Sequence, residues 1–160
     1  MGDKLYPVGG KSITITVTPT LSVAASYVAN DYIGTSDTPM TFAAAALTAG
    51  GSGLIVSAIL VDYALQSVAG ELWLFDTTIT TPSDSAAWSI TDAMAKTCVG
   101  VIPFSTYYAS ALNSISHGDL LPRAFKCASG STSLFGAFVT RGAPSYSTGD
   151  LTFRLTIMYD

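Results

Sequence analysis

KSITITVT, the stretch Lys11–Thr18, decides the fold class of this chain. Ile13, Ile15 and Val17 alternate with hydroxyl side chains, and a period of two places the apolar residues on one face of a β-strand. The same alternation returns near the other end of the chain in LTFRLTIMY, Leu151–Tyr159. We therefore predict a half-buried strand close to each end of the chain.

Between these two strands lie other stretches rich in β-branched and aromatic residues, separated by turns that contain Gly, Pro, Asn or Asp. The predicted strands are Ser26–Ile33, Leu54–Leu65, Glu71–Asp76, Val99–Phe104, Leu120–Cys127 and Ser133–Arg141, with Met40–Leu47 as either a strand start or a single helical turn. Leu54–Leu65 is apolar on both faces, which predicts a central strand covered on each side. The stretch Ser105–Gly118 is predicted to be a loop.

One segment, Ser89–Thr97, has the features of a helix. Thr91 or Ser89 can cap its start, Asp92 lies in its first turn and Lys96 near its end, where each charge complements the helix dipole. Two turns are too short to be stable alone, so the helix must dock on the sheet. The fold class is therefore an all-β antiparallel sandwich, jelly-roll-like, with one short helix.

The chain is predicted to have one domain. Residues 1–10 (MGDKLYPVGG) lack periodicity and contain Pro7 and two glycines, so we expect an N-terminal arm. Residues 11–160 follow without a linker and form a single β-sandwich domain. The 160 residues are enough to bury a hydrophobic core.

The composition favours a surface that other proteins cover. Hydrophobic residues make up 49 % of the chain and charged residues only 11 %, against about 25 % in a typical soluble domain. Ser and Thr supply about a quarter of the residues. A hydroxyl-rich, charge-poor surface repels identical neighbours weakly, as expected of a protein in an assembly. A secreted β protein with a hydroxyl-rich exterior is the alternative.

Several partners are not expected from the sequence. The seven basic residues stand singly and the net charge is −4, whereas nucleic-acid binding requires clustered Lys and Arg. We find no signal-peptide pattern and no apolar run long enough to span a membrane.

Cys98 and Cys127 are expected to be reduced, buried thiols, with a disulfide between facing strands as the alternative. No cofactor and no metal site is predicted.

Catalysis is not predicted either. The single histidine, His117, lies in the expected loop beside Ser116 and Asp119, and neighbours in sequence do not make a catalytic triad. Most aspartates fall at turns, where Asp bonds its own backbone. Asp62 and Asp76 follow apolar runs, and if buried they need an arginine or backbone N–H groups as partners.

Tyrosine is frequent, with eight residues in the chain. Tyr6 lies in the arm, and Tyr107 and Tyr108 are adjacent in the predicted loop. Tyrosine combines a rigid apolar ring with a polar hydroxyl and suits protein interfaces. We predict that Tyr6, Tyr107 and Tyr108 contact partner proteins.

The segment from residue 71 to residue 104, ELWLFDTTITTPSDSAAWSITDAMAKTCVGVIPF, carries a longer pattern. A strand ending in L-x-L-F-D leads through a Thr-Pro-x-Asp loop and an aromatic residue into a short helix and a strand that opens V-G-V-I. The segment resembles small structural proteins of tailed-bacteriophage virions. The resemblance covers about residues 50–105, and the motif residues are Phe75, Asp76, Pro82, Asp84, Trp88 and Asp92.

The resemblance implies a structural role for these residues. Phe75 would enter the core, Pro82 and Asp84 would set the loop, and Trp88 would fill the underside of the sheet. The helix that begins near Asp92 would cap one open end of the sandwich.

The resemblance also implies a function. The expected role is that of a capsid decoration (cement) protein in the virion, assembled in the host cytoplasm. It would bind the major capsid protein on the capsid exterior and associate with copies of itself as a symmetric homo-oligomer such as a trimer. A tail- or fibre-associated module that binds a receptor or carbohydrate is the alternative.

Overall fold

The computed structural model describes residues 11–22 and 25–159, so the predicted arm and its Tyr6 lie outside the described residues. Within these residues the chain forms thirteen strands and one helix. These are β1 (Ser12–Val17), β2 (Ala25–Ser26), β3 (Tyr32–Ile33), β4 (Met40–Phe42), β5 (Ser52–Asp62), β6 (Gly70–Phe75), α1 (Asp92–Lys96), β7 (Cys98–Phe104), β8 (Tyr107–Ala109), β9 (Ser114–His117), β10 (Arg123–Lys126), β11 (Leu134–Thr140), β12 (Ser145–Tyr146) and β13 (Leu151–Tyr159).

The strands form two antiparallel sheets. Sheet I has the order β1-β13-β5-β9-β8, with β10 paired to the other half of β5, and sheet II has the order β3-β11-β6-β7, with β4 also paired to β11. Strands pair from the two ends of the sequence inward: β1 with β13, β3 and β4 with β11, β5 with β9 and β10, and β6 with β7. This nested pairing is that of a jelly roll, which confirms the predicted fold class.

The main core lies between the two sheets. Alternation turns side chains inward along each strand, and in β5 it is interrupted once by a bulge at Val56. The inward residues Ile55, Ala58 and Leu60 of β5 are buried. Phe138 of sheet II meets Phe153 of sheet I with 4.9 Å between ring centroids. Apolar burial of this kind supplies the main driving force for folding.

The predicted strands near the two ends of the sequence are confirmed, whereas some predictions between them are wrong. β1 and β13 lie at the predicted alternating stretches, and β7, which contains Pro103, is an edge strand of sheet II, as a proline requires. The prediction of one strand over Ser26–Ile33 is wrong, because a turn at Asn30, with φ of 78°, separates β2 from β3. Asparagine adopts this left-handed conformation more readily than most residues.

The prediction of a loop over Ser105–Gly118 is also wrong, because β8 and β9 lie within it. The reason is an inverted pattern in β9, where Ser114 and Ser116 are buried while Ile115 and His117 are exposed. The serine Oγ of Ser114 contacts the hydroxyl of Ser67 at 3.0 Å. A strand that buries its serines gives no apolar alternation, so its sequence resembles that of a loop.

The segment from residue 77 to residue 97, here called the covering segment, folds over the outer face of sheet II. Its α1 starts at an N-cap, Thr91, whose hydroxyl accepts a hydrogen bond from the Met94 amide. Ile79, Trp88, Ile90 and Met94 pack on the outward residues of sheet II. The prediction that the helix caps an open end of the sandwich is therefore wrong: the segment covers a sheet face.

Candidate protein interface

The two sheets differ in what lies on their outer faces. Sheet II is covered by the covering segment, whereas the outward side chains of sheet I are exposed or half-buried. We call this outer surface of sheet I the open face. Its outward residues include Ser12, Thr14 and Thr16 of β1; Thr152, Arg154, Thr156 and Met158 of β13; Leu54, Ile59 and Val61 of β5; Tyr108 of β8; Ile115 and His117 of β9; and Ala124 and Lys126 of β10.

The open face has an apolar half centred on β5 and β9. Val61 pairs with Ile115, which in turn pairs with Tyr108, so these three side chains form one row across the sheet. Tyr108 is 66 % exposed and Ile115 is 37 % exposed. Exposed apolar side chains that are contiguous on one surface indicate an interaction site more strongly than scattered ones do.

The other half of the open face, on β1 and β13, carries hydroxyl groups. The hydroxyls of Thr14 and Thr156 lie 3.0 Å apart, and those of Thr18 and Thr152 lie 2.9 Å apart, so each pair shares a hydrogen bond across the strands. Such threonine pairs stabilise the sheet and satisfy one another. This half is therefore polar without being charged.

The charged side chains of the open face, Arg154 and Lys126, are both basic. Arg154 and the imidazole of His117 flank Ile59, with which both residues pair. No described outward side chain of the six strands is Asp or Glu, although the chain as a whole has a net charge of −4. The open face therefore complements a surface with carboxylates around an apolar centre.

The apolar sequence of β5 is the feature that predicts this face. The apolar run of β5 was predicted to be a central strand covered on both sides, and it is central in sheet I. The covering on its outer side is absent among the described residues, since Leu54, Ile59 and Val61 are only half-buried. A run apolar on both faces is typical of burial on both faces, and here the chain itself buries only one.

The two adjacent tyrosines point in opposite directions because they belong to strand β8. Tyr108 projects from the open face, with its ring against the edge of His117 at a centroid distance of 6.1 Å. Tyr107 packs against the core, and its hydroxyl donates to the Val68 carbonyl at 2.6 Å. Of these two residues, Tyr108 is therefore the one whose ring a partner can contact.

The motif residues singled out between residues 71 and 104 lie at sheet II and in the covering segment. Phe75 is fully buried in the hydrophobic cluster beneath the covering segment, as predicted. Trp88 fills the underside as predicted, with ring centroids 5.8 Å from Tyr32, 6.0 Å from Trp73 and 6.5 Å from Phe75. These contacts give Trp88 a structural role.

Asp84 fixes the loop of the covering segment. It is buried, and its Oδ1 accepts hydrogen bonds from the Tyr27 hydroxyl at 3.0 Å and the Gly34 amide at 3.2 Å. Burial, with Asp84 adding to it, raises the pKa of Tyr27, which keeps the hydroxyl protonated. Pro82 is half-buried in the same loop, and Asp92 is exposed at the start of α1.

The aspartates after the two apolar runs differ in their surroundings. Asp62 is fully buried and accepts bonds from the amides of Ala64 and Ser67, which fulfils the expectation of backbone partners. The Oδ1 atom of Asp76 is buried without a hydrogen-bond partner among the described residues.

The residues considered for chemistry are separated by the sheet. Ser116 is buried and His117 exposed, so alternation places their side chains on opposite faces of β9. Asp119 accepts a hydrogen bond from the Ser105 hydroxyl at 3.3 Å. Among the described residues, no group of three or more His, Cys, Asp or Glu side chains could hold a metal ion, and no helix is long and apolar enough to cross a membrane.

Both cysteines are free thiols in the structure. Cys98 lies on the edge strand β7, and Cys127 is buried just after β10. Burial raises the pKa of each thiol, which lowers its thiolate fraction and its reactivity. Cys127 is therefore a buried small side chain as predicted, whereas Cys98 is only half-buried, and the two do not form a disulfide.

Comparison with known proteins adds no relative. No protein family matches the chain, and no curated protein is significantly similar to it. The fold and the open face therefore carry the functional argument on physical grounds.

Proposed function

We propose that this protein is an assembly module that binds a partner protein through the open face, and that it does so as a decoration protein on the exterior of a viral capsid. The open face carries this proposal, because it is a sheet surface with an apolar centre and no described carboxylate in an otherwise acidic chain. The resemblance of residues 50–105 to phage structural proteins supplies the virion context. The jelly roll is compatible with that role and with others, since a fold alone does not determine function.

The dimensions of the open face suit a protein interface. The eleven residues of β5 span about 36 Å, and the four strand spacings from β1 to β8 span about 19 Å, which gives roughly 700 Å². A stable interface buries about 800 Å² on each partner. The open face is therefore close in size to one side of a standard protein interface.

The partner surface is defined by charge. Arg154 and Lys126 lie beside apolar side chains, so the partner should present Asp or Glu around an apolar patch. In the proposed virion this surface belongs to the major capsid protein. Each copy of this chain also carries exposed carboxylates, such as Asp119 and Asp37. In a symmetric oligomer, the basic groups of one open face can therefore contact carboxylates of a second copy.

Electron cryomicroscopy of virus particles from the organism that encodes the chain tests the proposal. We expect the jelly roll at repeated positions on the shell, with sheet I toward the capsid and the covering segment toward solvent. Absence of the chain from purified particles, or its presence at the tail alone, would contradict the decoration role.

A charge placed in the apolar row should abolish partner binding. We expect Ile115→Asp to weaken binding to particles that lack the protein at least tenfold, because the new carboxylate would oppose the carboxylates of the partner. Ile115 is exposed, so folding should change little. Val28→Asp is the matched control, since Val28 is an exposed apolar residue outside sheet I.

Binding is measured by cosedimentation with the particles, and folding by thermal unfolding of each variant. Equal binding of Ile115→Asp and the unmodified chain would exclude the open face as the contact surface.

A second function has one observation in its favour. The exposed Tyr108 ring beside His117 could stack on a sugar, which suits a receptor- or carbohydrate-binding module. Binding on a glycan array that Tyr108→Ala removes would favour this function over the decoration role.

A further inference from the structure

Strand β1 is an edge of sheet I. Among residues 11–22 and 25–159 it pairs with one strand, β13. Strand β4 of sheet II packs against β1, but β4 forms its ladder with β11. An unpaired strand edge presents backbone N–H and C=O groups that can bond to another chain. The free edge of β1 can therefore accept a further strand.

The register shows which backbone groups of β1 are free. The Tyr159 amide donates to the Lys11 carbonyl at 2.9 Å, and this bond continues the register of β1 and β13. In an antiparallel ladder, pairs that exchange hydrogen bonds alternate with pairs that do not. The odd-numbered residues of β1 therefore bond to β13, and the backbone groups of Ser12, Thr14 and Thr16 point away from it.

The other edges of the two sheets have features that prevent pairing with another chain. Strands β3, β4 and β8 have only two or three residues, β7 contains Pro103, and β10 begins with Arg123 and ends with Lys126. Short edges, prolines and basic side chains are the usual protection of a sheet edge. Strand β1 has six residues, SITITV, without proline or charge and mostly β-branched. Of the described edges, β1 is therefore the one best suited to pairing.

Two copies of β1 are complementary to each other when they run antiparallel. With a two-fold axis at Thr14, this residue lies opposite Thr14 of the second copy, and Ser12 lies opposite Thr16. Each of these pairs exchanges two backbone bonds, which gives about six bonds in all. Moving the axis along the strand leaves at least one of the three residues without a partner in β1, so the axis at Thr14 satisfies the free edge best.

The same arrangement extends the hydrophobic core. Ile13 and Ile15 pack against the core but remain half-buried at the edge of the sandwich. With the axis at Thr14, Ile13 of one copy lies opposite Ile15 of the other, and opposite residues share a face and contact each other. Because β1 carries no charged side chain, the two strands meet without repulsion between like charges.

We infer that two copies of this chain pair through β1 in this antiparallel arrangement, which joins sheet I of one copy to sheet I of the other. Opposite residues share a face, so both open faces point to the same side of the dimer. The paired edge is about 20 Å long and buries less than the about 800 Å² per partner of a stable interface, so the dimer is reversible. The inference does not depend on the proposed function.

Sedimentation velocity on the complete chain, from micromolar to nearly millimolar concentration, tests the inference. We expect a monomer–dimer equilibrium. Thr14→Lys should raise its dissociation constant roughly tenfold or more, because the two-fold axis places the two ammonium groups beside each other. Thermal unfolding should show that this exposed substitution leaves the fold intact. A chain that stays monomeric at every concentration would overturn the inference.

Thr156→Lys is the matched control. It adds the same charge and removes the same hydrogen bond, since the hydroxyls of Thr14 and Thr156 lie 3.0 Å apart. In the dimer, three strand spacings separate the two copies of residue 156, about 14 Å, which exceeds the Debye length of about 10 Å at 0.1 M salt. We therefore expect little change in dimerisation, and equal effects of the two substitutions would exclude the axis at Thr14.

Disulfide formation tests the register directly. Thr14→Cys should give a covalent dimer on mild oxidation, because the Cα atoms of a hydrogen-bonded pair lie about 5.5 Å apart, within disulfide range. Thr16→Cys is the control, since its two copies lie four residues apart along the paired strands, about 13 Å, which is too far. Peptide mass spectrometry distinguishes this bridge from products of Cys98 and Cys127.

Equal covalent dimer from Thr14→Cys and Thr16→Cys, or none from Thr14→Cys, would contradict the inferred pairing. The second result is also expected if residues before β1 cover its edge in place of a second copy. None of these measurements uses virus particles, so failure here leaves the test of the open face intact.

Discussion

Replacing Asp62 by Ala is expected to lower the free energy of unfolding by about 4 kcal/mol. The Asp62 carboxylate is fully buried and accepts hydrogen bonds from the Ala64 amide at 3.0 Å, the Ser67 amide at 2.7 Å and the Tyr146 hydroxyl at 3.4 Å. Burial and the nearby Asp62 raise the pKa of Tyr146, so its hydroxyl remains a donor. Removing the carboxylate leaves the buried Tyr146 hydroxyl and two part-buried amides without their acceptor, and each unpaired buried donor costs about 1–3 kcal/mol.

Urea unfolding followed by tryptophan fluorescence measures this effect. Asp119→Ala is the control, because Asp119 is exposed and its bond to Ser105 is long, so a change below about 1 kcal/mol is expected there. A loss below 1 kcal/mol for Asp62→Ala would show that water replaces the carboxylate in the turn after β5.

Replacing Trp88 by Ala is expected to cost about 3 kcal/mol and to release the covering segment from sheet II. The indole ring contacts the rings of Tyr32, Trp73 and Phe75, and it is the largest side chain that the segment contributes to that cluster. The Trp88 amide also donates to the Asn30 carbonyl at 2.8 Å. Loss of the indole packing should therefore weaken this hydrogen bond between the covering segment and the turn at Asn30.

Hydrogen exchange over residues 77–97 gives the sharpest measurement of this change. In Trp88→Ala we expect amide exchange in residues 77–97 to become faster than in β5 or β13. Trp88→Phe keeps an aromatic ring, so its free energy of unfolding should fall by only about 1 kcal/mol and these amides should stay protected. Because the segment lies on sheet II, particle binding through the open face should survive in both variants. Uniformly faster exchange over both sheets would contradict the division between covering segment and sandwich.

Much of the fold could be predicted from local sequence because several strands follow simple alternation. The strand β13 lies at the predicted residues, since each of its inward positions is apolar. The strand β9 could not be found in this way, because Ser114 and Ser116 face inward. The inward Ser114 bonds there to Ser67, which lies between β5 and β6 and is 47 residues away in sequence, so local sequence does not reveal this partner.

The candidate interface was beyond prediction for a similar reason. The apolar run of β5 indicates burial on two faces, but only the path of residues 77–97 determines which sheet receives the covering. That path depends on contacts such as Trp88 with Tyr32, between residues far apart in sequence. Tyr108 was selected correctly as an exposed tyrosine, while the neighbouring Tyr107 was assigned the same exposure because the strand that contains both was missed.

The nested pairing of strands has a consequence for how the protein is made. The partner of β1 is β13, and 142 residues separate Thr14 from Thr156 in their shared hydrogen bond. At about 5–20 residues per second, a ribosome needs roughly 7–28 s to pass from one to the other. During that time β1 lacks the strand with which it pairs, and β5 lacks β13 at its side. Sheet I therefore closes only after synthesis of β13, and its slow step is the pairing of β1 with β13.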